Sequence, residues 1–285
     1  MKLKISRLFH LLFITQFFRK ISDLYFGNSY IRVVNYHSTP KSQIATFEQH
    51  LQYYQKHYTT VSYQDLDSFF KTGKWEKNKP GLIISFDDGQ RTNFDFAYPL
   101  LEKYGFTGWF FIPTGFIDIP VSQQRKFMVD NMFTKNHSYS DGRYAMTWEE
   151  LMELDKKDHI IGSHTISHHE VSVADNLNTL EREIKESKQI LESKMKRKIP
   201  TFCWVRGRLT SYSHNAAKVI KAAGYKYSFM TNTYPILDNS APLQIQRTNI
   251  ETRNPLHLVK FQLCGLMDLH YYKKRRKVVL MTRLS

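Results

Sequence analysis

Short apolar, β-branched runs recur along this chain with helical stretches between them, and that alternation most constrains the fold. Ile31 to Tyr36 (IRVVNY), Gly81 to Phe86 (GLIISF) and Thr107 to Ile112 (TGWFFI) are near-continuous apolar segments. Such runs belong to strands buried on both faces, as in parallel sheets. His159 to Gly162, Thr201 to Val205 and Tyr225 to Thr231 read the same way, with a short strand around Thr59 to Ser62. Phe47 to Tyr58, Asn93 to Tyr104, Asn176 to Lys196 and Ser213 to Ala223 read as helices. Gly105 and Gly224 supply helix stops, and Thr147 with Glu150 forms a capping box. Residues 116 to 146 carry few periodic signals and read as an inserted loop. Alternating strands and helices give a parallel sheet with right-handed crossovers, and about seven such units curl into a barrel. Side chains at the C-terminal ends of barrel strands share one mouth.

The chain has 285 residues, which suits one large barrel or two ordinary domains. A mean hydropathy of −0.47 argues against a multi-pass membrane protein. Cys203 and Cys264 form neither a disulfide framework nor a CxxC metal site. The formal net charge of +15 bears on partners rather than fold. No nucleic-acid-binding motif accompanies it, so no nucleic-acid partner is expected.

Three segments follow. Residues 1–28 hold an apolar stretch, Leu8 to Phe18, bounded by Arg7, Arg19 and Lys20. It is too short to span a bilayer, which takes about 20 residues. It reads as a membrane-surface helix, an uncleaved anchor or signal, or a first helix packed on the domain. Residues 29–262 form the barrel. Residues 263–285 form a basic tail whose Lys273 to Lys277 run is either solvated or in contact with an anionic membrane. The expected location is membrane-associated or exported to the cell envelope.

Chemistry concentrates at two strand ends. GLIISF runs directly into Asp87-Asp88-Gly89, and HIIG runs into His164-Thr165-Ile166-Ser167-His168. Asp88, His164 and His168 could together hold one divalent metal, leaving Asp87 free beside it. One carboxylate and two imidazoles suit Zn2+, with Co2+, Ni2+ or Fe2+ compatible. Alone, Asp-Asp-Gly is a common turn and two histidines four apart are ordinary polar residues; jointly, on strand ends, they point to a hydrolytic site. His37, at the end of the first strand, should face the same mouth, as a substrate contact or as a structural histidine.

The stretches SFDDGQRTNFDFAYPLLEKYGFTGWFFIPTGFI and MTWEELMELDKKDHIIGSHTISHHEVS resemble the first two motif regions of the polysaccharide deacetylases (carbohydrate esterase family four, NodB-homology domain). VVNYHSTP and the following helix are similar to the start of the poly-N-acetylglucosamine deacetylase-like branch. The resemblance covers roughly residues 31 to 250. It implies a deformed (β/α)7 TIM-like barrel that removes an N-acetyl group from an N-acetylhexosamine, in a polysaccharide or lipid-linked glycan, with a metal-bound water as nucleophile. Asp88, His164 and His168 would be the metal ligands and Asp87 the general base. The third motif reads Phe202-Cys203-Trp204-Val205-Arg206-Gly207, without the usual Pro and Tyr. The Arg206 backbone N–H, beside Gly207, would hold the oxyanion. The arginine that pairs with the base aspartate is missing from its usual place, leaving Arg206 or Arg208 as substitutes. No Leu-x-His motif supplies a general acid. These departures keep open an alternative, a catalytically weakened glycan-binding barrel of the same fold.

Overall fold

The structure, a computed structural model, describes residues 2–11, 13–27, 29–132 and 139–284. Helices α1 (Lys2–Leu11) and α2 (Ile14–Phe26) precede β1 (Ile31–Tyr36). Next come α3 (Ile44–His57), β2 (Thr59–Thr60), α4 (Tyr63–Thr72), β3 (Gly81–Phe86), α5 (Tyr98–Tyr104) and β4 (Gly108–Ile112). Then follow α6 (Thr114–Asp118), α7 (Val121–Phe127), α8 (Trp148–Lys156), β5 (Ile160–Ser163), α9 (Leu177–Leu180) and α10 (Ser187–Met195). β6 (Thr201–Cys203), α11 (His214–Ala222), β7 (Tyr227–Met230), β8 (Ile245–Gln246) and β9 (Thr248–Asn249) complete the sheet. α12 (Leu256–Leu263), α13 (Leu266–His270) and α14 (Tyr272–Thr282) end the chain.

Every strand pairing in this sheet is parallel. The strand order is β8-β7-β6-β5-β4-β3-β1-β9, with β2 alongside β3. The two ends of that path, β8 and β9, are separated in sequence only by Arg247. The sheet therefore curls until its edges nearly meet, giving the expected barrel.

The period of two along each strand sorts the side chains. Ile31, Val33, Ile83, Trp109, Phe111 and Phe229 belong to one buried cluster, the barrel interior. Val34, Leu82, Ile84, Phe110, Ile112 and Phe202 join the cluster under the surrounding helices. Continuing the interior set along β3 gives Ser85 and then Asp87, so the apolar floor of the barrel becomes polar at its mouth.

The capping box at Thr147 is present: Thr147 N–H donates to Glu150 and Glu150 N–H to the Thr147 hydroxyl. The long helix after the histidine pair is also present, with Asn176 as its N-cap and a π-helical turn at Glu181–Glu186. Two expectations are corrected. The supposed loop 116–146 contains α6, α7 and a π-helical turn at Met128–Met132, although residues 133–138 lie outside the described ones. Short helices of this kind lack the repeats that make periodicity visible. The basic run near the C-terminus is a helix rather than a loose tail: Lys273, Arg276 and Lys277 stay exposed, while Lys274 and Arg275 pack inward. Arg275 stacks 4.1 Å from the Tyr234 ring centroid and donates to the Thr233 and Asp268 carbonyls.

A second anchor explains why this end is held. Arg32 of β1 is buried and bonds bidentately to Asp268 of α13, at 2.9 and 2.8 Å. Removing one partner leaves a buried charge uncompensated, costing about 3–5 kcal/mol. Asp268→Ala should therefore lower the urea midpoint with little change in m-value. An unchanged midpoint would show that Arg32 needs no carboxylate there.

Candidate active site

Asp87 and Asp88 leave β3 together but take different roles because the backbone turns between them. Asp87 continues the strand, its N–H donating to the Tyr36 carbonyl at 2.9 Å. Asp88 and Gly89 adopt left-handed backbone, φ 75° and 63°. Aspartate tolerates that region better than most residues, and glycine enters it freely. The turn swings the second carboxylate away from the first.

Asp87 is saturated. Arg247 grips it through two parallel bonds, Nη1 to Oδ1 at 2.7 Å and Nη2 to Oδ2 at 2.8 Å. Cys203 Sγ lies 3.7 Å from Oδ1. Burial alone would raise the Asp87 pKa, but the Arg247 guanidinium and then His164 outweigh it, leaving the carboxyl below its usual range. Asp87 is therefore an ionised carboxylate at neutral pH.

Asp88 is the opposite case. Its Oδ1 is buried and accepts no hydrogen bond. His168 Nε2 lies 3.2 Å away and His164 Nε2 3.7 Å away. Each ring is turned by its other nitrogen: His164 Nδ1 meets the Cys203 carbonyl at 2.9 Å, and His168 Nδ1 meets the Asn131 carbonyl at 2.8 Å. A carbonyl only accepts, so Nδ1 carries the proton and the Nε2 lone pairs aim at Asp88. Three converging donor atoms with an orphaned buried oxygen among them fit one divalent cation. Burial depresses His164 to about 4, which keeps it a neutral ligand well into acid. His168 runs the other way: burial lowers its pKa, but Asp88 raises it further.

Asp87, His164 and Cys203 also lie close enough to form a ligand set. The geometry argues against it. Arg247 already occupies Asp87, and burial pushes the Cys203 thiol well above its ordinary pKa, so it stays protonated.

The histidines stand on a tight turn after β5 rather than on a helix, with Thr165 and His168 both at positive φ. Glu183 holds that turn. Buried at 0% exposure, it accepts the Ile166 and Ser167 N–H groups at 3.0 and 2.9 Å and the Ser167 hydroxyl at 3.0 Å. His37, Arg206 and Gly207 line the same cavity, about 350 Å³, together with Lys274 and Tyr271. That volume lies within the roughly 300–1,000 Å³ typical of ligand clefts. His37 stands 4.0 Å from Glu251.

The expected partner of Asp87 is corrected. Arg206 and Arg208 lie 3.7 and 3.6 Å from Glu170, outside the barrel interior. Neither side chain takes up Asp87. Arg247 does, from the junction where the sheet closes. Lys274, read as part of a tail, donates to the Gly207 carbonyl and so ties the proline-free loop to α14.

A family model described as "Polysaccharide deacetylase" matches residues 74–228. The chain belongs to the polysaccharide deacetylase family. A poly-beta-1,6-N-acetyl-D-glucosamine N-deacetylase of Staphylococcus aureus is 26% identical over 243 residues, spanning 83% of this chain and 76% of that protein. Among solved structures, the Streptococcus pyogenes deacetylase PplD in complex with acetate superposes with a TM-score of 0.65 at 17% identity, over 82% of this chain and 98% of its own. IcaB from Ammonifex degensii gives 0.63 at 17% identity, over 83% and 97%. These two likenesses show the family's barrel fold.

Glu183 is the supporting residue most open to test. Glu183→Ala would leave the half-buried Ile166 and Ser167 N–H groups without their carboxylate, each costing up to about 1–3 kcal/mol, and would release the turn carrying both imidazoles. Zinc affinity, read by competition with a chromogenic chelator, should fall about 10–100-fold, as when the groups behind metal ligands are lost. Wild-type affinity in the variant would show that the turn holds its shape without Glu183.

Proposed function

We propose that this protein hydrolyses the N-acetyl group of N-acetylglucosamine residues in a polysaccharide of the poly-β-1,6-linked type, yielding acetate and a glucosamine amine. The observation that carries this reading is the pairing of an ionised, arginine-clamped Asp87 with the convergent Asp88, His164 and His168. The substrate assignment is supported by the Staphylococcus aureus relatives and their name. A lipid-linked glycan bearing the same sugar would present the same acetamido group.

Asp88, His164 and His168 would hold the cation, for which Zn2+ suits the donor set and Co2+, Ni2+ or Fe2+ are alternatives. Bound there, a divalent cation would acidify water and polarise the acetyl carbonyl. The chain's own groups do the rest. Asp87 accepts the proton of the attacking water. The Arg206 backbone N–H, on the cavity wall, donates to the oxyanion as the carbonyl becomes tetrahedral. The carbon–nitrogen bond then breaks, and Asp87 returns its proton to the leaving nitrogen. One carboxyl serves both transfers, so the absent Leu-x-His motif leaves no step without a proton source. A barrel that binds glycan without cutting it is not favoured, because glycan binding alone has no use for a carboxylate clamped in its ionised state.

Asp87→Asn is nearly isosteric and removes the base, at the cost of leaving the buried Arg247 charge without its partner, so circular dichroism accompanies the assay. Acetate release from poly-β-1,6-N-acetylglucosamine oligomers should fall at least about 10²–10⁴-fold, while bound metal stays at the wild-type level. Turnover retained with metal content intact would remove Asp87 from the mechanism.

A further inference from the structure

The side chains that α1 and α2 bury fully are small and polar, Ser6, Thr15 and Ser22, while Phe9, Ile14, Phe18 and Phe26 are half-buried. Beside exposed charged and polar residues such as Lys4, Arg7, Gln16 and Lys20, the two helices and the Phe13 between them expose large apolar side chains: Leu8, Phe13, Phe17, Ile21, Leu24 and Tyr25, with Phe17 at 62% and Leu24 at 85% exposure. Phe17, Ile21 and Leu24 follow at spacings of four and three, so they form one stripe along α2. Scattered apolar residues on a surface are ordinary; a continuous exposed stripe is not the pattern of a water-facing helix. The pair is nonetheless firmly seated. Phe9 packs edge-on against Phe261 of α12 at 5.6 Å, and Arg19 donates to the Tyr53 hydroxyl and the His57 carbonyl of α3.

The two flanks of α2 differ in chemistry. On one, Ile21 and Tyr25 share an apolar groove of about 390 Å³ with Leu269 and Tyr272, which extends the stripe onto α13 and α14. On the other, Arg19, Lys20, Lys56 and Lys260 line a cleft of about 460 Å³ in which Asp23 is the one carboxylate. The positive potential there registers on His57, held at about 4 by burial and then by Arg19, Lys56 and Lys260. Lys273, Arg276 and Lys277 of α14 are exposed as well.

A wide apolar stripe edged by cations matches the boundary between headgroups and acyl chains of an anionic bilayer. No helix among the described residues is long and apolar enough to cross a membrane, so the match is to the surface. A second copy of the chain fits less well, since pairing the stripes would bring two sets of the same cations together. We infer that the α1–α2 face docks this protein peripherally on an anionic lipid surface, with Phe17, Ile21 and Leu24 at the acyl boundary and Lys20, Lys56 and Lys260 on lipid phosphates. Orientation follows from two consecutive residues: Tyr271 lines the catalytic cavity and Tyr272 the apolar groove. Docked this way, the protein holds its cavity beside the headgroups, where a glycan at the membrane surface would pass.

The full chain can be sedimented with phosphatidylcholine vesicles, and with vesicles carrying about 30 mol% phosphatidylglycerol, enough for a strong surface potential. The wild type should bind the anionic vesicles at least about tenfold more tightly, less so in high salt. Phe17→Glu with Leu24→Glu should weaken binding to both kinds at least about tenfold, and Lys20→Glu with Lys260→Glu should remove the anionic preference. The substituted side chains are surface ones, so circular dichroism and acetate release from a soluble oligomer should not change. Binding is read from protein in the pellet, which separates this result from the fate of the deacetylase reading. Equal or absent binding of the wild type to both vesicle types overturns the inference. So does a dimer in sedimentation velocity that the Phe17→Glu, Leu24→Glu variant dissolves, since the occupant would then be a second copy.

Discussion

The bidentate pair between Arg247 and Asp87 is the contact on which both the barrel and its chemistry depend. Both side chains are buried inside the barrel, at 1% and 4% exposure. Neither charge is sustainable there alone, because stripping a single ion of water costs several kcal/mol. Together they satisfy one another, with Arg247 also donating to Ser85 at 3.2 Å. Arg247 stands between β8 and β9, where the sheet's two edges approach, and Asp87 stands at the end of β3. The pair that links β3 to the closing edges of the sheet is thus also the pair that holds Asp87 ionised.

That pairing divides labour between adjacent carboxylates. Asp87 has its oxygens committed and remains charged without a metal. Asp88, turned away by the left-handed backbone, keeps an oxygen without a hydrogen bond facing two imidazoles. Two neighbouring anions of identical chemistry thus differ through environment alone, which suits one to the proposed base and the other to the proposed cation site. The groups behind the imidazoles come from scattered elements: Cys203 from the end of β6, Asn131 from the π-helical turn, and Glu183 from the long helix. Each fixes an orientation, and none is itself a ligand.

What the sequence disclosed follows from how local each signal is. β1 and β3 match their apolar runs residue for residue because burial on both faces leaves little choice of side chain. The two aspartates and two histidines were visible because each pair lies within a single turn. Arg247 was not visible: it sits 160 positions from Asp87, in two-residue strands too short to show alternation, and gains meaning only once the sheet closes. Lys274 was hidden for a related reason, since a basic run looks alike on a loose tail and on a helix packed against the cavity. Asn131 fell inside an apparent loop whose short helices carry no readable period. The apolar N-terminal stretch was conspicuous, but which face it would bury could not be read from composition, and the exposed stripe emerged only from packing.

The most direct test of the central pair is the pH dependence of kcat/KM for the wild type and Arg247→Met, on an N-acetylglucosamine oligomer with metal supplied. In the proposed mechanism Asp87 works ionised, and Arg247 is the chief attraction holding its pKa down against burial. Removing that cation should raise the Asp87 pKa, so activity is lost at a higher pH as the solution is acidified. The acid limb should move up by about one to three pH units, the range over which a neighbouring cation acts on a carboxylate. An active variant whose acid limb coincides with that of the wild type would contradict the account, because Asp87 would then be held ionised, or proton transfer performed, by something other than this pair.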